Sequence, residues 1–210
     1  FFRKKAFIMK KHKIITIERQ YASGGLEIGQ KVSELLGIPI YNREILAKAA
    51  EKLNVSEEYL ESSEESASGS LLMSLSMAMN TMGNIYDNVP LPDKLFFAES
   101  EIIRNLADME SCIIVGRCAD YILREREDCL RIFIYADNDF RRQRAIQNYN
   151  ASEKDADGLV RRNDKRRSSF YTFNSGRKWG IKEKYHLCLN SGKLGIKTCA
   201  DIIAGVFCEE

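Results

Sequence analysis

The sequence contains few of the residues that cross-link or stiffen small chains. Its 210 residues include 3 prolines, 13 glycines, 6 cysteines and 2 histidines, and no two cysteines form a Cys-x-x-Cys pair. These numbers exclude collagen-like and low-complexity chains, and the cysteine spacing argues against structural zinc. A chain of this length buries enough surface to fold without disulfides. We therefore interpret the cysteines as reduced thiols of a cytoplasmic protein.

Long apolar runs and a strong excess of one charge are also missing. No stretch reaches the about 18 apolar residues of a membrane span, so we expect no membrane partner. The first 13 residues are basic and lack the apolar core of a signal peptide, and Met9 is a candidate natural start. The formal net charge of +2 does not by itself indicate a nucleic-acid-binding protein, and none is expected.

Short apolar runs alternate with longer segments, which predicts an α/β fold. Predicted strands cover residues 13–18, 38–41, 112–115, 130–135 and 185–189. Predicted helices cover about 25–36, 43–53, 70–86, 93–109, 138–149, 155–175 and 194–207. Several strands are apolar at consecutive positions, as in a parallel sheet with helices on both faces. Ligands of such folds bind beyond the carboxyl ends of the strands.

Two long segments interrupt this alternation. About seventy residues separate the second and third strands, more than one crossover needs. They include the acidic, serine-rich residues 61–70 and an apolar helical stripe over residues 72–86. The second segment, residues 141–184, contains 13 Lys or Arg and 5 Asp or Glu. Most of the basic character of a nearly neutral protein is therefore concentrated there.

The first strand–helix junction, residues 17–27, is rich in small residues. Glycines let the backbone approach a phosphate, and a helix N-terminus offers free N–H groups. The junction nevertheless departs from the pattern G-x-x-x-x-G-K-[ST]: Arg19 stands at the first glycine and Gly25 at the lysine. An ordinary tight turn at Ser23-Gly24-Gly25 explains the same residues equally well.

Three further places hold candidate functional residues. Arg117 follows the third strand and could bind a phosphate or carboxylate, or pair with Asp120 at the surface. Residues 161–167 concentrate arginine around Asp164, as phosphoryl transfer requires, although a solvated face or a nucleic-acid contact is also open. Glu99 falls in the apolar stripe formed by Leu95, Ile102, Leu106 and Met109. It is either paired inside the protein or extends to water from the edge of the stripe.

Five segments in this order and spacing resemble the cytidylate kinase-like family of P-loop proteins, relatives of the nucleoside monophosphate kinases. The segments are residues 15–46, 93–107, 112–123, 163–180 and 185–196. The resemblance implies one three-layer P-loop domain over residues 1–210, with a five-stranded parallel sheet between helices. It also implies a helical acceptor-binding insert at about 55–110 and a basic helical lid at about 141–184.

The resemblance also implies roles for individual residues. The donor loop would be lined by Arg19, Gln20, Ser23, Gly24 and Gly25. The acceptor side would contain Tyr41, Arg43, Glu99, Arg117 and Asp120. Catalysis would fall to Arg161, Asp164, Lys165 and Arg167. ATP and Mg²⁺ are the implied cofactors, with no metal ligand assigned.

The function implied is ATP-dependent phosphoryl transfer to a nucleoside monophosphate, of the CMP or dCMP type. Two alternatives stay open: a nucleotide-binding module whose altered loop supports no turnover, and a nucleic-acid-binding protein that uses the basic segment. Arg19 or an arginine of the lid would supply the charge of the missing lysine. Because the lid's positive charges repel each other, we expect it to be open without a ligand. No oligomeric state is assigned.

Overall fold

A computed structural model gives the fold and describes residues 13–56 and 91–208. Its strands are β1 (Ile14–Arg19), β2 (Ile40–Tyr41), β3 (Cys112–Val115), β4 (Cys129–Tyr135) and β5 (Leu187–Asn190). Its helices are α1 (Gly25–Leu36), α2 (Arg43–Leu53), α3 (Leu91–Met109), α4 (Ala119–Ile122), α5 (Asn138–Tyr149), α6 (Ala156–Ser175), α7 (Ser191–Leu194) and α8 (Ile196–Cys208). A 3-10 turn, Lys182–Lys184, precedes β5.

The five strands form one parallel sheet in the order β2-β3-β1-β4-β5. β1 lies in the centre, where Ile14, Ile15 and Ile17 are completely buried. Burial on both faces explains why the strands read as continuous apolar runs. The predicted five-stranded parallel sheet is therefore confirmed.

Alternate residues of the strands contact helices on opposite sides. Ile15 and Ile17 pack in one cluster with residues of α1 and α8. Ile14 packs on the other side, with residues of α3, α4 and α6. This period of two follows from strand geometry. It confirms the prediction of helices on both faces, and it directs successive side chains of β1 to different layers.

Helix boundaries agree closely with the prediction over the described residues, with three differences. The short helices α4 and α7 were not predicted, since four residues are too few for a periodic signal. Met109, predicted in the apolar stripe of α3, is 79% exposed because it ends the helix. The predicted helix 70–86, its apolar stripe and the acidic segment 61–70 lie outside the described residues.

Two further findings concern membrane-spanning helices and the cysteines. No helix within residues 13–56 and 91–208 is long and apolar enough to cross a membrane. All six cysteines are free. Cys112, Cys118, Cys129 and Cys199 are buried, whereas Cys188 is partly buried and Cys208 is exposed.

Candidate functional site

The β1–α1 loop, residues 20–24, is held in a fixed curve at the carboxyl end of the sheet. Ala22 and Gly24 have left-handed backbones, with φ of 59° and 79°. The buried Ser23 hydroxyl donates to the carbonyl oxygen of Gln20 at 2.8 Å, and the Ser191 hydroxyl donates to the carbonyl oxygen of Ser23 at 2.6 Å. The Gln20 side-chain oxygen accepts from the backbone N–H of Ala136 at 3.2 Å. The loop is therefore anchored to the residue that follows β4 and to the first residue of α7 before α1 begins.

Arg19 runs from β1 across the start of α1 toward the end of β3. An ideal Cβ at Gly25 would lie 2.6 Å from Cβ and 2.9 Å from Cγ of Arg19. An ideal Cβ at Gly116 would collide with the guanidinium of the same arginine. Because Gly25 and Gly116 have no side chain, Arg19 has room to lie between them. This explains why a glycine, Gly25, stands at the lysine position of the phosphate-loop pattern.

Three arginines from different elements converge beside this loop. Burial and the nearby charge of Arg167, followed by that of Arg117, lower the pKa of Arg19 to about 9. Burial also lowers the pKa of Arg167. Over residues 13–56 and 91–208, the guanidinium of Arg19 makes no ion pair. Concentrated positive charge without full compensation favours a bound anion.

Helix α6 lies against the β1–α1 loop through two side chains. Asp164 accepts from the backbone N–H of Tyr21 at 2.7 Å with one carboxylate oxygen and from the Arg141 guanidinium with the other. Arg167 donates to the carbonyl oxygen of Arg19 at 3.0 Å and lies over the Tyr21 ring. The open lid expected from charge repulsion is not what the structure shows. The carboxylate and the carbonyl oxygen offset that repulsion.

The other two predicted residues of α6 are placed differently. Arg161 and Lys165 are exposed, on a face that also presents Arg162 and Arg166. They are one helical turn apart and share a side that does not meet the loop. The structure therefore brings Asp164 and Arg167 to the site and leaves Arg161 and Lys165 on the outer surface.

Arg117 is presented by an unusual turn after β3. Gly116, Arg117 and Cys118 have φ of 79°, 56° and 53°, so two non-glycine residues adopt left-handed backbones in succession. Such strain is found preferentially at functional sites. The Arg117 guanidinium lies 3.2 Å from the carboxylate of Glu99, which is completely buried. The sequence left open a surface ion pair between Arg117 and Asp120 and a Glu99 side chain that extends to water. Both of these alternatives are wrong.

Asp120 is also inside the protein, on the side of α4 that faces α6. It is 3% exposed and accepts a hydrogen bond of 2.7 Å from the hydroxyl of Tyr171. Burial, followed by the nearby charge of Glu18, raises the pKa of Asp120 to about 7. This carboxyl group therefore links α4 to the C-terminal half of α6 rather than pointing to solvent.

The raised pKa of Asp120 makes a prediction about stability. A carboxyl group whose pKa is higher in the folded than in the unfolded state stabilises the fold at low pH. That contribution is lost as the pH rises from about 4, the unfolded value, through about 7. We expect Asp120→Asn to remove this part of the pH dependence, measured by urea unfolding at pH 5 and pH 8. If the variant and the parent lose the same amount of stability between pH 5 and pH 8, Asp120 is not the source of this pH dependence.

Tyr41 and Arg43, predicted on the acceptor side, lie at the edge strand β2 and the start of α2. The Tyr41 hydroxyl donates to Glu110 at 2.6 Å, which raises its pKa to about 12. Arg43 is exposed. Neither contacts the three arginines in the structure.

Sequence reasoning missed Glu18 and Trp179. Glu18 is 5% exposed at the end of β1, and its carboxylate accepts from the indole N–H of Trp179 at 3.0 Å. The Trp179 ring packs edge-to-face on Phe133, with centroids 5.4 Å apart. The available signal was a charge at the end of an apolar strand. Its partner lies 161 positions away and could not be inferred from spacing.

The residues fit a phosphate chain better than a metal. The loop backbone and the arginines are suited to a polyphosphate such as that of ATP. Within the described part of the chain, no group of three or more His, Cys, Asp or Glu could hold a metal. The Ser23 hydroxyl, which donates to a backbone oxygen, is not oriented as a metal ligand. These side chains therefore do not form a magnesium site of their own.

Several solved structures are similar to this chain in shape and have the same architecture. An uncharacterized protein from Eubacterium ventriosum is 25% identical, with 95% of this chain and 100% of that chain covered and a TM-score of 0.69. A shikimate kinase from Acinetobacter baumannii in complex with shikimate is 12% identical (94% and 94% covered, TM-score 0.51). One from Bacteroides thetaiotaomicron is 10% identical (92% and 96% covered, TM-score 0.50). The two kinases show the fold alone, a P-loop kinase fold.

Sequence comparison identifies the family. No curated protein matches the chain. The model of the cytidylate kinase-like family matches residues 14–193, which include all five strands and the converging arginines. Because this match covers most of the sequence, the chain belongs to the cytidylate kinase-like family.

Proposed function

We propose that the protein transfers the terminal phosphoryl group of ATP to a nucleoside monophosphate of the CMP or dCMP type. Family membership supports a phosphotransferase. The observation on which the rest depends is the path of Arg19 between Gly25 and Gly116 into a group of three arginines. A phosphate chain is the ligand chemistry that such a group compensates.

On this proposal, the donor phosphates bind at the β1–α1 loop. The N-terminus of α1 offers its N–H groups, and Arg19 supplies the positive charge that a lysine supplies in the standard pattern. Arg19 begins at the other end of the loop from the lysine position, yet Gly25 lets its stem cross that position. On this proposal the loop keeps a cation at the donor phosphates, and that cation comes from Arg19 instead of the lysine. Gln20, Ser23 and Gly24 shape the loop.

Arg117 is proposed to bind the phosphate of the acceptor. Its side chain is 16% exposed, and its guanidinium is backed by the buried Glu99, which fixes its orientation. A planar guanidinium can bind two oxygens of a phosphate at once. Tyr41, Arg43 and Asp120 remain predictions for the acceptor side. The CMP-type acceptor rests on the family alone, since the described side chains do not select a base.

Arg167 is proposed to stabilise the charge that develops during transfer. An acceptor phosphate oxygen attacks the terminal phosphorus, ADP leaves, and negative charge spreads over the equatorial oxygens. Arg167 lies beside the loop, and Asp164 holds α6 in place through Tyr21 and Arg141. Positioned cations of this kind act without reorganising during the reaction. Arg161 and Lys165 would take part only after a rotation of α6.

A second candidate is a nucleotide-binding module without turnover. The observation in its favour is that the described side chains provide no magnesium site and the pattern lysine is replaced. Such a module would bind ATP at the same loop and arginines. Binding alone therefore does not separate the two candidates, whereas product formation does.

The test combines product formation with binding. Trp179 is the sole tryptophan. Its hydrogen bond to Glu18, the residue before Arg19, places it near the site. We expect its emission to change on titration with ATP. We also expect ADP and a nucleoside diphosphate when the protein is incubated with ATP, magnesium and CMP, dCMP or UMP. Binding without product for every acceptor would favour the module, and no binding would contradict both candidates.

A further inference from the structure

The carboxylate of Glu18 lies behind the arginines without pairing with them. Glu18 and Arg19 are successive residues of β1, so their side chains leave the sheet on opposite faces. Glu18 therefore shares the face from which α6 presents Arg167. Burial lowers the pKa of Arg167 and the charge of Glu18 opposes that shift, so the two groups interact electrostatically. Among the residues that the structure describes, Trp179 is the side-chain partner of this carboxylate, and no arginine forms an ion pair with it.

This arrangement is unexpected for a carboxylate that is 5% exposed. Charge-assisted bonds between arginine and carboxylate are strong, and a buried carboxylate gains from such a bond. A pair between Glu18 and Arg167 would, however, neutralise the arginine that faces the loop. The indole N–H offers a competing donor at 3.0 Å. Its ring is held by Phe133, whose own ring also packs against Tyr185.

We propose that Trp179 is a positioning residue that holds the Glu18 carboxylate in place and so keeps Arg167 available to phosphate groups. The inference rests on the proposed function, because it assumes that Arg167 acts on a phosphate chain. Trp179 belongs to the segment that leads from α6 to β5. The return of this segment to the sheet therefore contributes a hydrogen-bond donor to the site as well as connecting two elements.

The test is a double-mutant cycle. Trp179→Phe keeps an aromatic ring against Phe133 and removes the N–H donor. We expect kcat to fall about tenfold and the Kd for ATP to rise by a smaller factor, since Glu18 then pairs with Arg167. Glu18→Gln keeps an acceptor for the indole and should leave kcat within about twofold of the parent. The double variant E18Q/W179F should recover most of the loss, because no carboxylate remains to compete.

If Trp179 had only a structural role, the added E18Q substitution would not restore the kcat lost in W179F. Tyr185→Phe is the matched control, since it removes one buried polar group from the same cluster without touching Glu18; parent-like kcat is expected. Additive losses in E18Q/W179F, or parent-like kcat in W179F, would overturn the inference and leave the kinase proposal standing. If W179F does not fold, benzothienylalanine in place of the sole tryptophan removes the N–H and keeps the bicyclic ring.

Failure of the proposed function has a different signature. A parent that binds ATP without turnover contradicts the kinase, and the same four proteins are then compared by the Kd for ATP and for inorganic tripolyphosphate. Weakening in W179F that E18Q reverses would still support the inference, and its absence would overturn it. A parent that binds neither compound contradicts the proposed function and the inference together.

Discussion

Arg19→Ala is expected to weaken ATP binding about a hundredfold, as the loss of a half-buried cation at a phosphate chain would. The side chain fills the path between Gly25 and Gly116, and no lysine of the loop stands in for it. Calorimetric titration with ATP measures the effect. The alanine removes a half-buried positive charge whose pKa is lowered by burial and by the charge of Arg167, so folding should not be impaired.

Arg124→Ala is the control for this variant. Arg124 bonds the carbonyl oxygen of Tyr121 and stacks on the Tyr121 ring at the end of α4, away from the loop. Its replacement should leave the Kd for ATP unchanged. Equal affinities for the parent and both variants would show that the cation needed at the donor phosphates comes from elsewhere.

Arg167→Ala is expected to lower kcat about a hundredfold with a smaller change in the Kd for ATP. The reason is that an arginine aimed at developing charge contributes more to the transition state than to ground-state binding. Its bond to the carbonyl oxygen of Arg19 fixes its position at the loop. Steady-state assays of phosphoryl transfer, together with calorimetry, separate the two effects.

Arg161→Ala provides the comparison on the same helix. Sequence reasoning groups Arg161 with Arg167, whereas the structure places it on the exposed face of α6. We expect kcat close to that of the parent. A loss as large as that of R167A would show that α6 rotates during the reaction and would restore the sequence-based assignment. Unchanged turnover in both variants would remove α6 from the mechanism.

The sheet and most helices could be predicted because their signals are local. β3 shows a continuous apolar run, and α1 is flanked by the cap residues Gly24 and Gly37, which adopt left-handed backbones. The exposure of Met109 was missed because periodicity does not show where a helix leaves the core. Four-residue helices such as α7 give no periodic signal at all.

The site was less predictable because its contacts join distant parts of the chain. That Gly116 makes room for Arg19 follows from the pairing of β1 with β3, which no local pattern reveals. The bond between Glu18 and Trp179 depends on the return of the chain after α6. Residue type did identify the arginines as candidates. Which of them face the loop is decided by tertiary packing.

The buried bond between Tyr171 and Asp120 gives α6 a fixed point within its own length. If α6 tilts, it therefore pivots about Tyr171, and residues farther along the helix from this fulcrum move more. At about 1.5 Å per residue, Asp164 lies about 10 Å from the fulcrum and Ala156 about 22 Å. A tilt of about 10° would move Asp164 by about 2 Å, enough to break its bond to Tyr21, and Ala156 by about 4 Å. Release of the loop would thus require only a small tilt, with the greatest travel at the end of α6 where Ala156 packs in one cluster with Ala22 of the loop.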